Sequence, residues 1–96
     1  MLTPMNESEL GTPVDHVVGN QMDDGNGVLV DLNSKKYFQL NETAMLVWRG
    51  LEEGKSLAQI VAEMTSLYDV SADHATASVM RVIDELKARQ LIVKPS

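Results

Sequence analysis

Apolar and polar positions follow two different periods along this chain, and the change near Asn41 divides it into a strand half and a helix half. From Val14 to Met22 the apolar residues are short and β-branched (Val14, Val17, Val18), which predicts a first strand. Asp23-Asp24-Gly25-Asn26-Gly27 then supplies residues that tolerate positive φ, as a hairpin turn requires. Val28 to Leu32 reads as a half-buried second strand, Asn33-Ser34 as a tight turn, and Lys35 to Leu40 as a third strand with aromatic residues at its centre.

Beyond Leu40 the period becomes helical. Asn41 can cap a helix with apolar face Ala44, Val47, Trp48 and Leu51, ending between Gly50 and Gly54. Ser56 to Gln59 has the form of a capping box, followed at helical spacing by Leu57, Ile60, Val61, Met64 and Leu67. Ser71 can cap a third helix reaching about Arg89, with Ala72, Ala75, Val79, Val82, Ile83 and Leu86 as its stripe. Gln90 to Val93 ends the core as a short extended segment. The first 13 residues show neither period and read as a flexible tail, leaving 14–96 as the domain.

Three strands in a meander followed by three helices predict an α+β fold, a winged helix-turn-helix. If the strands pair in chain order, the third is an edge whose backbone groups are open to an incoming strand.

Composition narrows the function. With 96 residues there is room for one core, and 44% hydrophobic with 23% charged residues is the balance of a soluble domain. No apolar run suits a membrane span or secretory signal, so the cytoplasm is the expected location and no membrane partner is expected. The chain has no cysteine, which removes disulfides and thiolate metal sites. Its formal charge is −6, and the first 34 residues hold six acids and no Lys or Arg, a half that repels phosphate.

Catalytic candidates are thin. His16 and His74 are the two imidazoles, and the acid pairs Asp23-Asp24, Glu52-Glu53 and Asp84-Glu85 lack a His or Cys to complete a metal site. Gly25-Asn26-Gly27 lacks the third glycine and following helix of a phosphate loop, and a hairpin turn accounts for it. Strand alternation sends Phe38 and Leu40 to the face toward Trp48 and the third helix, and Tyr37 and Gln39 to the other. Met80 beside the third helix's stripe suits a partner contact or a gap in the core.

A family resemblance rests on Gly27 to Leu32, Lys36 to Asn41, Thr43-Ala44, Trp48, Gly54, Ile60-Val61, Leu86 and Leu91-Ile92, which together resemble the PqqD family. The match runs from about Val14 to Val93, and its most specific part is the aromatic-x-Leu-Asn join of Phe38 to Asn41 with the Ala and Trp that follow. The resemblance implies a non-catalytic peptide recognition element without cofactors. Such an element binds the leader of a ribosomally made precursor peptide beside the third strand and presents it to a modifying enzyme. That enzyme is a radical S-adenosylmethionine protein in pyrroloquinoline quinone biosynthesis and a leader peptidase in lasso-peptide biosynthesis. Carried over by position, the site would be Lys35, Lys36, Tyr37, Phe38, Gln39 and Leu40, with Val79, Met80, Ile83 and Lys87 as the groove's helical wall. The segment Val30 to Lys36 lacks the Pro-Glu associated with quinone-pathway members and is closer to the lasso-peptide and other stand-alone relatives.

Two rival readings compete. A winged-helix DNA-binding regulator would read bases with the third helix, but Asp73 and His74 stand where phosphate contacts need Lys or Arg, so no nucleic-acid partner is expected. A structural subunit would dock on an enzyme without touching its substrate.

Overall fold

A side-chain oxygen starts each of the three helices. In the computed structural model, which describes residues 10–93, Asn41 Oδ1 accepts from the Ala44 amide at 2.9 Å to open α1 (Glu42–Glu52). At α2 (Leu57–Leu67) Ser56 Oγ accepts from the Gln59 amide at 3.2 Å while Gln59 Oε1 accepts from the Ser56 amide at 2.8 Å, the reciprocal box expected from the sequence. Ser71 Oγ accepts from the His74 amide at 3.1 Å and opens α3 (Ala72–Ala88). No helix among the described residues is long and apolar enough to cross a membrane.

Helices α1 and α3 close in the same way. The Lys55 amide reaches the Gly50 carbonyl and the Gly54 amide the Leu51 carbonyl, with Gly54 at φ 74°. In α3 the Leu91 amide reaches the Leu86 carbonyl at 2.9 Å and the Gln90 amide the Lys87 carbonyl at 3.0 Å, and here a non-glycine, Gln90, takes φ 60°. That reversal tucks Leu91, 1% exposed, under the core.

The strands precede the helices. β1 is Thr12–Pro13, β2 Val17–Gln21, β3 Gly27–Asp31 and β4 Lys36–Leu40, with a last short strand β5 at Ile92–Val93. β2, β3 and β4 form the antiparallel meander in chain order, as predicted. β1 pairs with β5, Thr12 opposite Val93 and Pro13 opposite Ile92. This clasp corrects the expected tail: Leu10 is a core residue, and the Val14 amide donates to the Leu91 carbonyl at 3.1 Å. The remainder of that tail, residues 1–9, lies outside the described residues.

The turns differ in detail from expectation. Between β2 and β3 only Gly25 has positive φ (93°), and Asp24 Oδ1 accepts from the Asn26 amide at 3.0 Å. Gly27 is not a turn residue. It sits inside β3, and a Cβ there would overlap Met45 Sδ and lie 2.8 Å from the Asn20 carbonyl oxygen. Gly19, opposite Leu29 on the same face, would place a Cβ 2.6 Å from Trp48 Nε1. These two residues let the sheet settle directly on α1. Between β3 and β4, Asp31 Oδ1 accepts from the Asn33 and Ser34 amides at 2.9 and 3.1 Å, and Lys35 completes the reversal at φ 64°. The third strand therefore starts at Lys36 rather than Lys35.

The core lies between the sheet's inner face and the three helices. Trp48, Val47, Leu29, Ile60, Val79 and Ile83 are wholly buried within it, and Phe38 and Leu40 pack against it from β4. The indole Nε1 of Trp48 is buried without a hydrogen-bond partner among the described residues.

Candidate functional site

The hydrogen-bond parity of the sheet determines what its free edge displays. The Leu32 amide donates to the His16 carbonyl at 2.7 Å and the Met22 amide to the Asn26 carbonyl at 2.7 Å. Antiparallel ladders bond at alternate pairs, so Val18 with Val30 and Asn20 with Val28 are the bonded pairs between β2 and β3. The backbone groups of Gly27, Leu29 and Asp31 consequently face β4, where they meet Leu40, Phe38 and Lys36. What remains for the outside is the N–H and C=O of Tyr37 and Gln39. No further strand pairs with β4 among the described residues.

The same alternation sorts the side chains. Lys36, Phe38 and Leu40 share the inner face with Leu29, while Tyr37, 73% exposed, and Gln39 stand on the outer face. Beside the edge a groove separates β4 from α3. One recess, about 230 Å³, is lined by Phe38, Leu40, Ala44, Val82, Glu85 and Arg89. It continues past the carboxyl end of β4 into a second, about 210 Å³, that adds Asn41, Thr43, Ser78 and Arg81. Its floor is apolar, with Ala44 and Leu86 both buried. The Arg89 guanidinium lies over the Phe38 ring, 5.7 Å from its centroid, which fixes a cation at one end.

The helical wall differs from the one carried over by position. Val79 and Ile83 are wholly buried and point into the core, so neither lines the groove. At 100° per residue, Ser78, Val82, Glu85 and Arg89 fall on the flank of the stripe that meets β4, and these residues line the groove instead. Met80 falls on the opposite flank, half-buried against the core. Lys87 lies near the helix end, in a wider recess of about 540 Å³ shared with His16, Asp31, Lys36, Phe38 and Arg89. On the strand side, Lys36 to Leu40 form the edge and Lys35 belongs to the turn that precedes it.

Electrostatically the groove alternates. Arg81, Glu85 and Arg89 succeed one another along α3, and none is ion-paired among the described residues. Asp31 is already committed: the Ser34 and Asn33 amides hold its carboxyl below the usual carboxylate range, helped by His16, whose Nε2 is 3.8 Å away. Exposed His74, in the first turn of α3, lines neither recess of the groove. Among the described residues no group of three or more His, Asp and Glu is placed to hold a metal.

Residues 26–92 match the family described as Coenzyme PQQ synthesis protein D (PqqD). The chain belongs to the PqqD family. Two solved structures resemble it over nearly their full length. One, described as TbiB1 in complex with the TbiA(beta) leader peptide, is 27% identical with a TM-score of 0.78, covering 88% of this chain and 98% of that one. The other, a lasso peptide synthetase B1 complexed with the leader peptide, is 31% identical with a TM-score of 0.75, covering 84% and 94%. No curated protein matches the chain.

Proposed function

We propose that this PqqD-family protein is a non-catalytic adaptor that binds the leader of a ribosomally made precursor peptide as an additional strand on β4 and presents it to a modifying enzyme. The observation that carries the proposal is the juxtaposition of an open strand edge with a partly apolar groove. The Tyr37 and Gln39 backbone groups supply main-chain hydrogen bonds, and the groove against Val82 supplies side-chain selectivity. The two similar structures support it: both are described in complex with a leader peptide, and one of them as a lasso peptide synthetase. The likeness to the lasso peptide synthetase, with the missing Pro-Glu in Val30 to Lys36, favours a leader peptidase over a radical S-adenosylmethionine enzyme as the recipient.

Charge argues against the DNA-binding rival. Asp73 stands exposed in the first turn of α3, where a reading helix would approach phosphates. Titrating ¹⁵N-labelled protein with the synthetic leader of its precursor tests the proposal. Amide shifts should concentrate at Tyr37 to Leu40 and at Val82 to Arg89, with the Tyr37 and Gln39 amides newly protected from exchange. Shifts confined to other surfaces would exclude leader binding at this edge.

A further inference from the structure

The groove's end at Lys36 has a charge opposite to that of the protein. Although the chain carries −6, the recess beyond Phe38 is lined by Lys36, Lys87 and Arg89 against one acid, Asp31, whose oxygen already accepts from two amides. None of the three cations is ion-paired among the described residues. Stacking on Phe38 holds the Arg89 guanidinium beside the strand edge.

Register turns this charge into a sequence requirement. A strand bonded to Tyr37 and Gln39 places its residues opposite Lys36, Phe38 and Leu40 on the inner face, because cross-strand neighbours share a face. Those opposite Phe38 and Leu40 enter the recess floored by Ala44, Val82 and Leu86, where an apolar side chain finds surface to bury and Glu85 offsets the charge of Arg89. The one opposite Lys36 enters the cationic recess. We infer that the bound leader carries an Asp or Glu opposite Lys36, two residues along the strand from an apolar side chain opposite Phe38, and that Lys36 and Arg89 hold its carboxylate. For an antiparallel ligand this reads apolar-x-apolar-x-acid, and for a parallel one the reverse. Arginine's fork can take both carboxylate oxygens. The inference rests on the strand-addition reading above.

Selection from a displayed library of random 12-residue peptides on the folded protein at low salt tests it. The net charge alone would enrich basic peptides, so acid enrichment reports the local recess. The expected result is Asp or Glu two residues from an apolar position, enriched about fivefold or more, as a partly exposed, charge-assisted contact predicts. The exposed double variants Lys36→Glu/Arg89→Glu and Lys36→Gln/Arg89→Gln, checked by their melting curves, should respectively reverse the preference to Lys or Arg and abolish it. An apolar pattern without the acid, or an acid preference unchanged in both variants, overturns the inference while leaving strand addition intact. Selected peptides that leave the Tyr37 and Gln39 amides unprotected would overturn strand addition and the inference together.

Discussion

Proline substitution along β4 separates binding from folding residue by residue, because the strand's bonding parity is known. Proline removes one N–H and fixes φ near −65°. At Tyr37 or Gln39 the lost N–H faces outward, so the ladder to β3 keeps its bonds. The cost to the fold is then chiefly backbone strain on an edge strand, about 1 kcal/mol, or roughly 5 °C in Tm for a domain of this size. The cost to the complex is larger. A lost main-chain bond is worth about 0.5 to 1.5 kcal/mol, and a ligand carbonyl left unpaired against the edge raises that to about 1 to 3 kcal/mol. Affinity for a leader peptide should therefore fall about 5- to 150-fold at each site. Phe38→Pro is the contrast: it breaks a bond to Leu29 and removes an aromatic ring packed on the core, so it should cost about 3 kcal/mol or more of stability. Fluorescence anisotropy with a labelled leader reads the first effect, and circular-dichroism melts the second. Wild-type affinity in both Tyr37→Pro and Gln39→Pro would refute strand addition. Equal melting losses at Tyr37 and Phe38 would refute the parity.

Further outcomes follow from the core and the turn. Trp48→Ala should cost about 3 to 5 kcal/mol in urea unfolding, and Trp48→Phe far less, since phenylalanine also removes the unpartnered indole N–H. Gly27→Ala should destabilise by about 1 to 3 kcal/mol, because the added methyl meets both Met45 and the Asn20 carbonyl; an unchanged melt would mean the sheet can lift off α1 without cost. Asp31 stabilises the fold in its charged form, its carboxyl being held below 3.8. The advantage of wild type over Asp31→Asn should thus be complete above that value and vanish as pH falls through the lower folded one, in melts taken from pH 6 to 2. A gap that persists at pH 2 would assign it to shape rather than charge.

The sequence disclosed what is local. The caps Asn41, Ser56 and Ser71 each act within three residues of themselves, so the helix starts were legible from pattern. The meander was legible too, because its turns carry polar residues between β-branched runs. Three things were not. Lys35 and Gln90 take left-handed φ without being glycine, so no composition signal marks them. The β1–β5 clasp joins two-residue strands from opposite ends of the chain, too short to show a period. The groove's helical lining was illegible for a different reason: periodicity finds the stripe of α3 but not which flank meets β4, a choice made by the helix's packing against the sheet. Val79 and Ile83 occupy the buried centre of that stripe, whereas Val82, Glu85 and Arg89 occupy its rim.

Because β4 turns only Tyr37 and Gln39 outward and keeps Lys36, Phe38 and Leu40 facing in, a strand laid beside it shows the groove every second residue and hides the others from it. Over generations a precursor can vary at the hidden positions without altering what is recognised. Losing or gaining one residue within that stretch is the severe lesion, since it exchanges the two sets at a stroke.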